Sequence, residues 1–121
     1  MQDFTNLKVW RRAHDLALSV YRVTRPFPKE ELYGLTSQVR RAAVSVPANI
    51  AEGCGTDGNA DFGRFLQMSM RSASELQYHL LLARDLGYLD ATIQVPLNDA
   101  VQEVKRMLSS LIGKVRLTRS N

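Results

Sequence analysis

The sequence is poor in the residues on which small-protein chemistry most often rests. It holds one cysteine, Cys54, and two histidines, His14 and His79. A single cysteine cannot close an internal disulfide, so a reducing compartment is its natural setting and a cytoplasmic location is expected. Neither histidine has a His or Cys three or four residues away, so neither belongs to a metal pair of the usual spacing. Each is expected to be a surface or interface side chain, and no metal or cofactor is expected. Aromatic residues are only 7% of the chain, which leaves few platforms for stacking. No stretch alternates apolar and polar residues as a strand would. No apolar run approaches the ~20 residues that span a bilayer, and the opening MQDFTNLKVW lacks a signal-peptide pattern, so no membrane role is expected.

What is present is helical. At 121 residues, with 45% hydrophobic and 23% charged side chains, the chain fits one ordinary globular domain spanning 1–121. Trp10, Ala13, Ala17, Val20 and Thr24 recur every three or four residues, flanked by Val9, Leu16 and Val23, until Pro26 ends the run. Leu35, Val39, Ala42, Val46 and Ile50 form a second stripe. Phe62, Phe65, Leu66, Ser69, Ala73, Leu76, Leu80 and Ala83 form a third, with Gly87 as its C-cap residue. Val101, Val104, Leu108, Leu111, Ile112 and Val115 form a fourth, after a cap at Asp90. Helices are expected over 6–25, 35–52, 60–86 and 91–116. Four such stripes with short connections are buried most economically in an all-α, antiparallel up-down four-helix bundle. Pro47 falls inside the second stripe, where it must kink the helix or force a restart capped by Ser45. Gly53 to Asn59 reads as the clearest loop.

Motifs of catalysis fail on context. Gly53-Cys54-Gly55-Thr56-Asp57-Gly58 satisfies GxGxxG, but a helix precedes it where a dinucleotide site needs a strand. Asp57, Asn59 and Asp61 open like a calcium loop, yet Phe62 stands where the turn needs glycine and Met68 where the bidentate carboxylate belongs. Cys54 as a nucleophile lacks a histidine in local reach. A non-enzymatic protein is expected.

Charge carries more. The net charge is +4 with a pI near 9.6, and it is unevenly placed. Residues 1–51 hold eight basic and four acidic side chains, 52–103 three and eight, and 104–121 five basic and no acidic ones. Such polarity suits an anionic partner or self-association through complementary surfaces. Lys8, Arg11, Arg12, Arg40 and Arg41 are the candidate nucleic-acid-binding residues, with guanidinium groups to clasp phosphates. Trp10, Tyr21, Phe27 and Tyr33 are the candidate stacking residues, although most fit a core. As an alternative use, Ser45, Asn49 and Glu52, with Arg40, form a polar network at a subunit interface.

Several stretches carry a family resemblance. They are Leu7-Lys8-Val9-Trp10, Phe27-Pro28-Lys29-Glu30-Glu31, Tyr33-Gly34-Leu35, Ser37 to Ala43, Ser45 to Gly53, Phe65-Leu66, Glu75-Leu76 and Leu86-Gly87-Tyr88. In these the chain resembles the small bacterial four-helix proteins encoded in intervening sequences of ribosomal RNA genes. It is similar also to the accessory protein of diversity-generating retroelements. The resemblance implies an up-down bundle, a homopentamer, and a partner that is nucleic acid or a protein such as a reverse transcriptase. Two positions depart from the family pattern: Cys54-Gly55-Thr56-Asp57 stands where a basic residue commonly follows the AEG turn, and Arg71 stands where a glycine commonly precedes Ser72. The second places positive charge on the third helix.

The expected function is therefore non-catalytic binding of nucleic acid, RNA first, or of a nucleoprotein, through arginine-rich surfaces of an oligomer. The competing expectation is a structural or adaptor oligomer whose partner is protein.

Overall fold

The computed structural model describes residues 2–120, with side chains as far as Thr118. A 3-10 turn at Phe4–Asn6 leads into α1, Lys8–Thr24; a second at Lys29–Glu31 leads into α2, Leu35–Cys54. Then come α3, Asn59–Asp85, and α4, Ala91–Ser120. Each helix packs on its two neighbours in cyclic order, α1 on α2, α2 on α3, α3 on α4 and α4 on α1. Cross-helix bonds fix the directions. Arg40 of α2 reaches Thr24 at the end of α1, Ser69 of α3 reaches Val46 of α2, and Arg12 of α1 meets Glu103 of α4. The result is an all-α, up-down four-helix bundle.

The four stripes form the core. Val20, Val39, Val46, Ile50, Leu66, Leu76, Leu80, Val101, Val104 and Leu108 are fully buried, each contributing about 1.5–3 kcal/mol of transfer free energy before the entropy of ordering is subtracted. Phe65 and Leu111, at the edges of their stripes, are half-buried.

Pro47 neither breaks α2 nor forces a restart. The helix runs unbroken across it, and Ser45 is an interior residue rather than a cap. The missing proline N–H takes a donor from the backbone ladder, and side chains bond to two carbonyls of the adjoining turn. Asn49 Nδ2 donates to the Ser45 carbonyl at 2.8 Å, and Ser69 Oγ, from α3, donates to the Val46 carbonyl at 2.8 Å. The Ser69 bond ties α3 to α2 beside Pro47, whose own missing N–H concerns the Ala43 carbonyl.

Helix ends differ from expectation in small ways with local causes. α1 starts at Lys8 because Asp3 caps the preceding 3-10 turn, accepting from the Thr5 N–H at 3.0 Å. α2 continues through Cys54, so the glycine-rich loop shortens to residues 55–58. Gly53 allows α2 and α3 to close together: a Cβ there would stand 2.9 Å from a Phe62 ring carbon and 3.0 Å from Phe65 Cβ. At the end of α3, Gly87 has φ +83°, and the N–H groups of Gly87 and Tyr88 bond to the Arg84 and Ala83 carbonyls. That is a Schellman cap. α4 extends one turn past residue 116: of residues 118–121, the stretch expected to fray, 118–120 are helical and Asn121 lies outside the described residues.

The two histidines diverge. His14 is exposed and stacks on Trp10, ring centroids 5.0 Å apart. His79, expected at a surface or an interface, is buried within its own chain: its Nε2 lies 3.8 Å from Glu75, and its Nδ1 has no partner among the described residues. No described helix is long and apolar enough to cross a membrane.

Candidate nucleic-acid interface

The five candidate cations do not form one patch. Lys8, Arg11 and Arg12 occupy the first turns of α1, whereas Arg40 lies beside Tyr21 and Thr24 near its end. At 1.5 Å per residue the two groups stand roughly 15–20 Å apart along the bundle axis. The antiparallel course of α2, expected from the short connection to α1, itself carries Arg40 and Arg41 to the far end, so the single patch expected of the five does not form.

Their individual bonds separate them further. Arg40 Nε donates to Thr24 Oγ1 at 2.9 Å, its Nη2 reaches the Tyr21 carbonyl at 3.5 Å, and its guanidinium lies 4.7 Å over the Tyr21 ring. It staples α2 to α1, with little left for a phosphate. Arg12 Nη1 pairs with Glu103 at 2.8 Å, and Arg11 Nη2 reaches the Thr5 carbonyl at 3.4 Å. Lys8 and Arg41 are exposed and have no charged or hydrogen-bonding partner among the described residues.

The polar network is not assembled within one chain. Asn49 bonds to the Ser45 backbone, Arg40 points to α1, and Glu52 is exposed without a partner among the described residues. Arg41 instead shares a shallow recess with Gln38, Ser45 and Glu75 on the outer α2–α3 face. Of the candidate stacking residues, Phe27 is buried, Trp10 is half-buried between Phe4 and His14, and Tyr33 is 94% exposed.

Cys54 closes the last turn of α2 at 3% exposure, and its carbonyl accepts from the Gln2 N–H at 3.1 Å. Burial pushes its thiol pKa up, and a helix C-terminus disfavours a thiolate. No group of three or more His, Cys, Asp or Glu side chains able to hold a metal is found among the described residues.

What the structure does bring together is a basic surface centred on α4. The Arg12–Glu103 pair sets the register of the antiparallel α1 and α4, so Lys8, four residues earlier, is level with Arg106 and Met107. Lys114 follows two turns on. Lys8, Arg106 and Lys114 are all exposed, and none has a side-chain partner among the described residues. Arg106 and Lys114 are absent from the five candidates. Their signal is the acid-free segment 104–121, which acquires a location only once α4 is laid against α1.

Residues 5–110 match the 23S rRNA-intervening sequence protein family. The chain belongs to that family. Among solved structures, this family member is similar to a protein of unknown function from the S23 ribosomal protein family of Bacteroides thetaiotaomicron. The two share 24% identity over 87% of this chain and 95% of the other, with a TM-score of 0.81, which shows a shared fold. No curated protein matches the chain. The family description names no reaction.

Proposed function

We propose that this intervening-sequence family member is a non-catalytic protein that binds nucleic acid through backbone phosphates along α4. One observation carries the reading: Lys8, Arg106 and Lys114 stand exposed and uncompensated at the end of the bundle where α1 begins and α4 finishes. Cations so placed can release counterions from a polyanion without first breaking an internal pair. The family's link to 23S rRNA intervening sequences makes RNA the first polynucleotide to try. Gel retardation of a short RNA at low salt tests it. The wild type should shift the RNA, and Lys8→Glu with Arg106→Glu and Lys114→Glu should abolish the shift while helix content stays unchanged. Equal shifts by both proteins would contradict the reading.

A second reading is favoured by the outer α2–α3 face, where Arg41 and Glu52 are unpaired among the described residues and Glu75 has only a distant histidine contact. Opposite charges left open on one face suit contact with a second copy, so the chain assembles as a homo-oligomer with Ser45, Asn49 and Glu52 in the contact. Native mass at several protein concentrations tests this: one subunit mass throughout would contradict it.

A further inference from the structure

The other side of α4 forms a groove with α3 that differs from the α1 edge. Near the end of α3 it opens into a recess of about 480 Å³, lined by Ser74, Gln77, Tyr78, Leu81, Val95 and Asn98 among others. A second recess, of about 330 Å³, lies between the start of α3 and the end of α4, with Gln67 and Ile112 in its walls. Both recesses lie along the same α3–α4 seam. Gln67, Arg71, Ser74 and Tyr78 recur at spacings of four, three and four on α3, and Asn98, Lys105 and Ile112 recur every seven on α4, which keeps each set on one helix face.

Three kinds of group stand along this seam, the cations between the two recesses and the rest in the wall of the first. Positive charge comes first. Arg71 is exposed and has no partner among the described residues. Lys105 Nζ donates to the neutral Gln77 Oε1 at 3.2 Å, so its charge stays uncompensated. Of the α3 carboxylates, Asp61 lies by Arg64 at 3.7 Å and Asp85 by Arg84 at 3.1 Å, while Glu75 shares the recess on the α2 side with Arg41. An aromatic face comes second: Tyr78 is 59% exposed on the rim, next to the exposed Leu81 and Val95. Amide and hydroxyl groups come third. Gln77 Nε2 donates to Asn98 Oδ1 at 2.8 Å, which pins the Asn98 amide and leaves its NH₂ without a partner among the described residues, beside the Ser74 hydroxyl.

We propose that the α3–α4 groove binds a single-stranded polynucleotide, with one base stacked on Tyr78, its edge on Asn98 and Ser74, and the flanking phosphates on Lys105 and Arg71. The proposal rests on the reading of α4 as a phosphate-binding helix and adds the class of polynucleotide. Cations in a groove with an aromatic platform are what an unpaired strand recognises, because its bases are free to leave their neighbours. Bases in a duplex are held in the stack and do not reach Tyr78. An apolar helix laid in the groove would bury Arg71 and Lys105 without counter-charge. An acidic peptide would neutralise them but offer no ring to Tyr78.

The test is fluorescence anisotropy with a labelled 20-nucleotide single strand, as RNA and as DNA, and with the matching duplex. Tyr78→Ala should weaken single-strand binding roughly five- to a hundredfold, leave duplex affinity and the salt dependence unchanged, and be rescued by Tyr78→Phe. The RNA and DNA arms show which sugar is preferred, and Tyr78 dependence in either supports the groove. If single strand and duplex bind alike and Tyr78→Ala changes neither, the groove proposal is overturned while phosphate binding along α4 stands. Competition by polyglutamate as effective as by unlabelled strand also overturns it. No binding of any strand at low salt overturns both readings.

Discussion

Ser69 Oγ donates a 2.8 Å hydrogen bond to the Val46 carbonyl, one residue before Pro47 and on the neighbouring helix. Ser69 is fully buried, so the bond is a buried tie between α3 and α2; the carbonyl that Pro47 leaves without its donor is that of Ala43, a turn earlier. Ser69→Ala removes this buried bond, while the Val46 carbonyl keeps its helical partner inside α2, and should destabilise the fold by about 0.5–1.5 kcal/mol. Urea unfolding measures it, and a midpoint equal to that of the wild type would contradict the role given to Ser69.

Two glycines inside helices should respond in opposite senses. Gly53→Ala drives a methyl to 2.9 Å from the Phe62 ring and 3.0 Å from Phe65 Cβ, and overpacking of this kind costs about 1–3 kcal/mol. Gly113 sits in α4, and a methyl added there would meet nothing within 4 Å. Gly113→Ala should therefore stabilise by about 0.5–1 kcal/mol through backbone entropy and helix propensity. Thermal melts of the two variants should move to opposite sides of the wild type.

The adjacent arginines should separate in the same way. Arg40→Ala loses the bond to Thr24 and the stack on Tyr21, a loss of about 1–2 kcal/mol. Arg41→Ala removes an exposed side chain with no partner among the described residues and should stay within about 0.5 kcal/mol of the wild type. Denaturant midpoints distinguish them.

Alkaline pH should weaken the fold through Cys54. Burial raises the thiol pKa in the folded state, so the folded protein keeps a proton that the unfolded chain releases. The contribution is fully present below the ordinary thiol pKa and is lost as pH rises through the folded value. Tyr88, whose hydroxyl donates to Glu31 at 3.0 Å, is also raised and acts in the same direction at higher pH. As pH rises through the thiol range the urea midpoint should fall, and fall less in Cys54→Ala.

The stripes through Val39, Leu66 and Val104 were legible because burial imposes a helical period on sequence, and they suffice for four helices and their order. The fate of Pro47 was not, since the packing of a buried helix against its neighbours overrides the local cost of an interior proline. Arg40 and Arg41 look alike in sequence, and only tertiary contact with Thr24 makes the first a staple. Arg106 and Lys114 were visible as charge without an address. Lys8 gained them as neighbours, and lost Arg40 and Arg41, through the antiparallel course of the helices.

Salt dependence of RNA binding tests the central claim, that phosphates are held along α4. In a titration of a single-stranded RNA across salt concentrations, the logarithm of the binding constant should fall linearly with the logarithm of salt. Lys8→Ala with Arg106→Ala and Lys114→Ala should flatten that slope by about two, at roughly 0.7 per phosphate contact on a single strand. A slope unchanged by the triple substitution, or affinity independent of salt, would contradict the account.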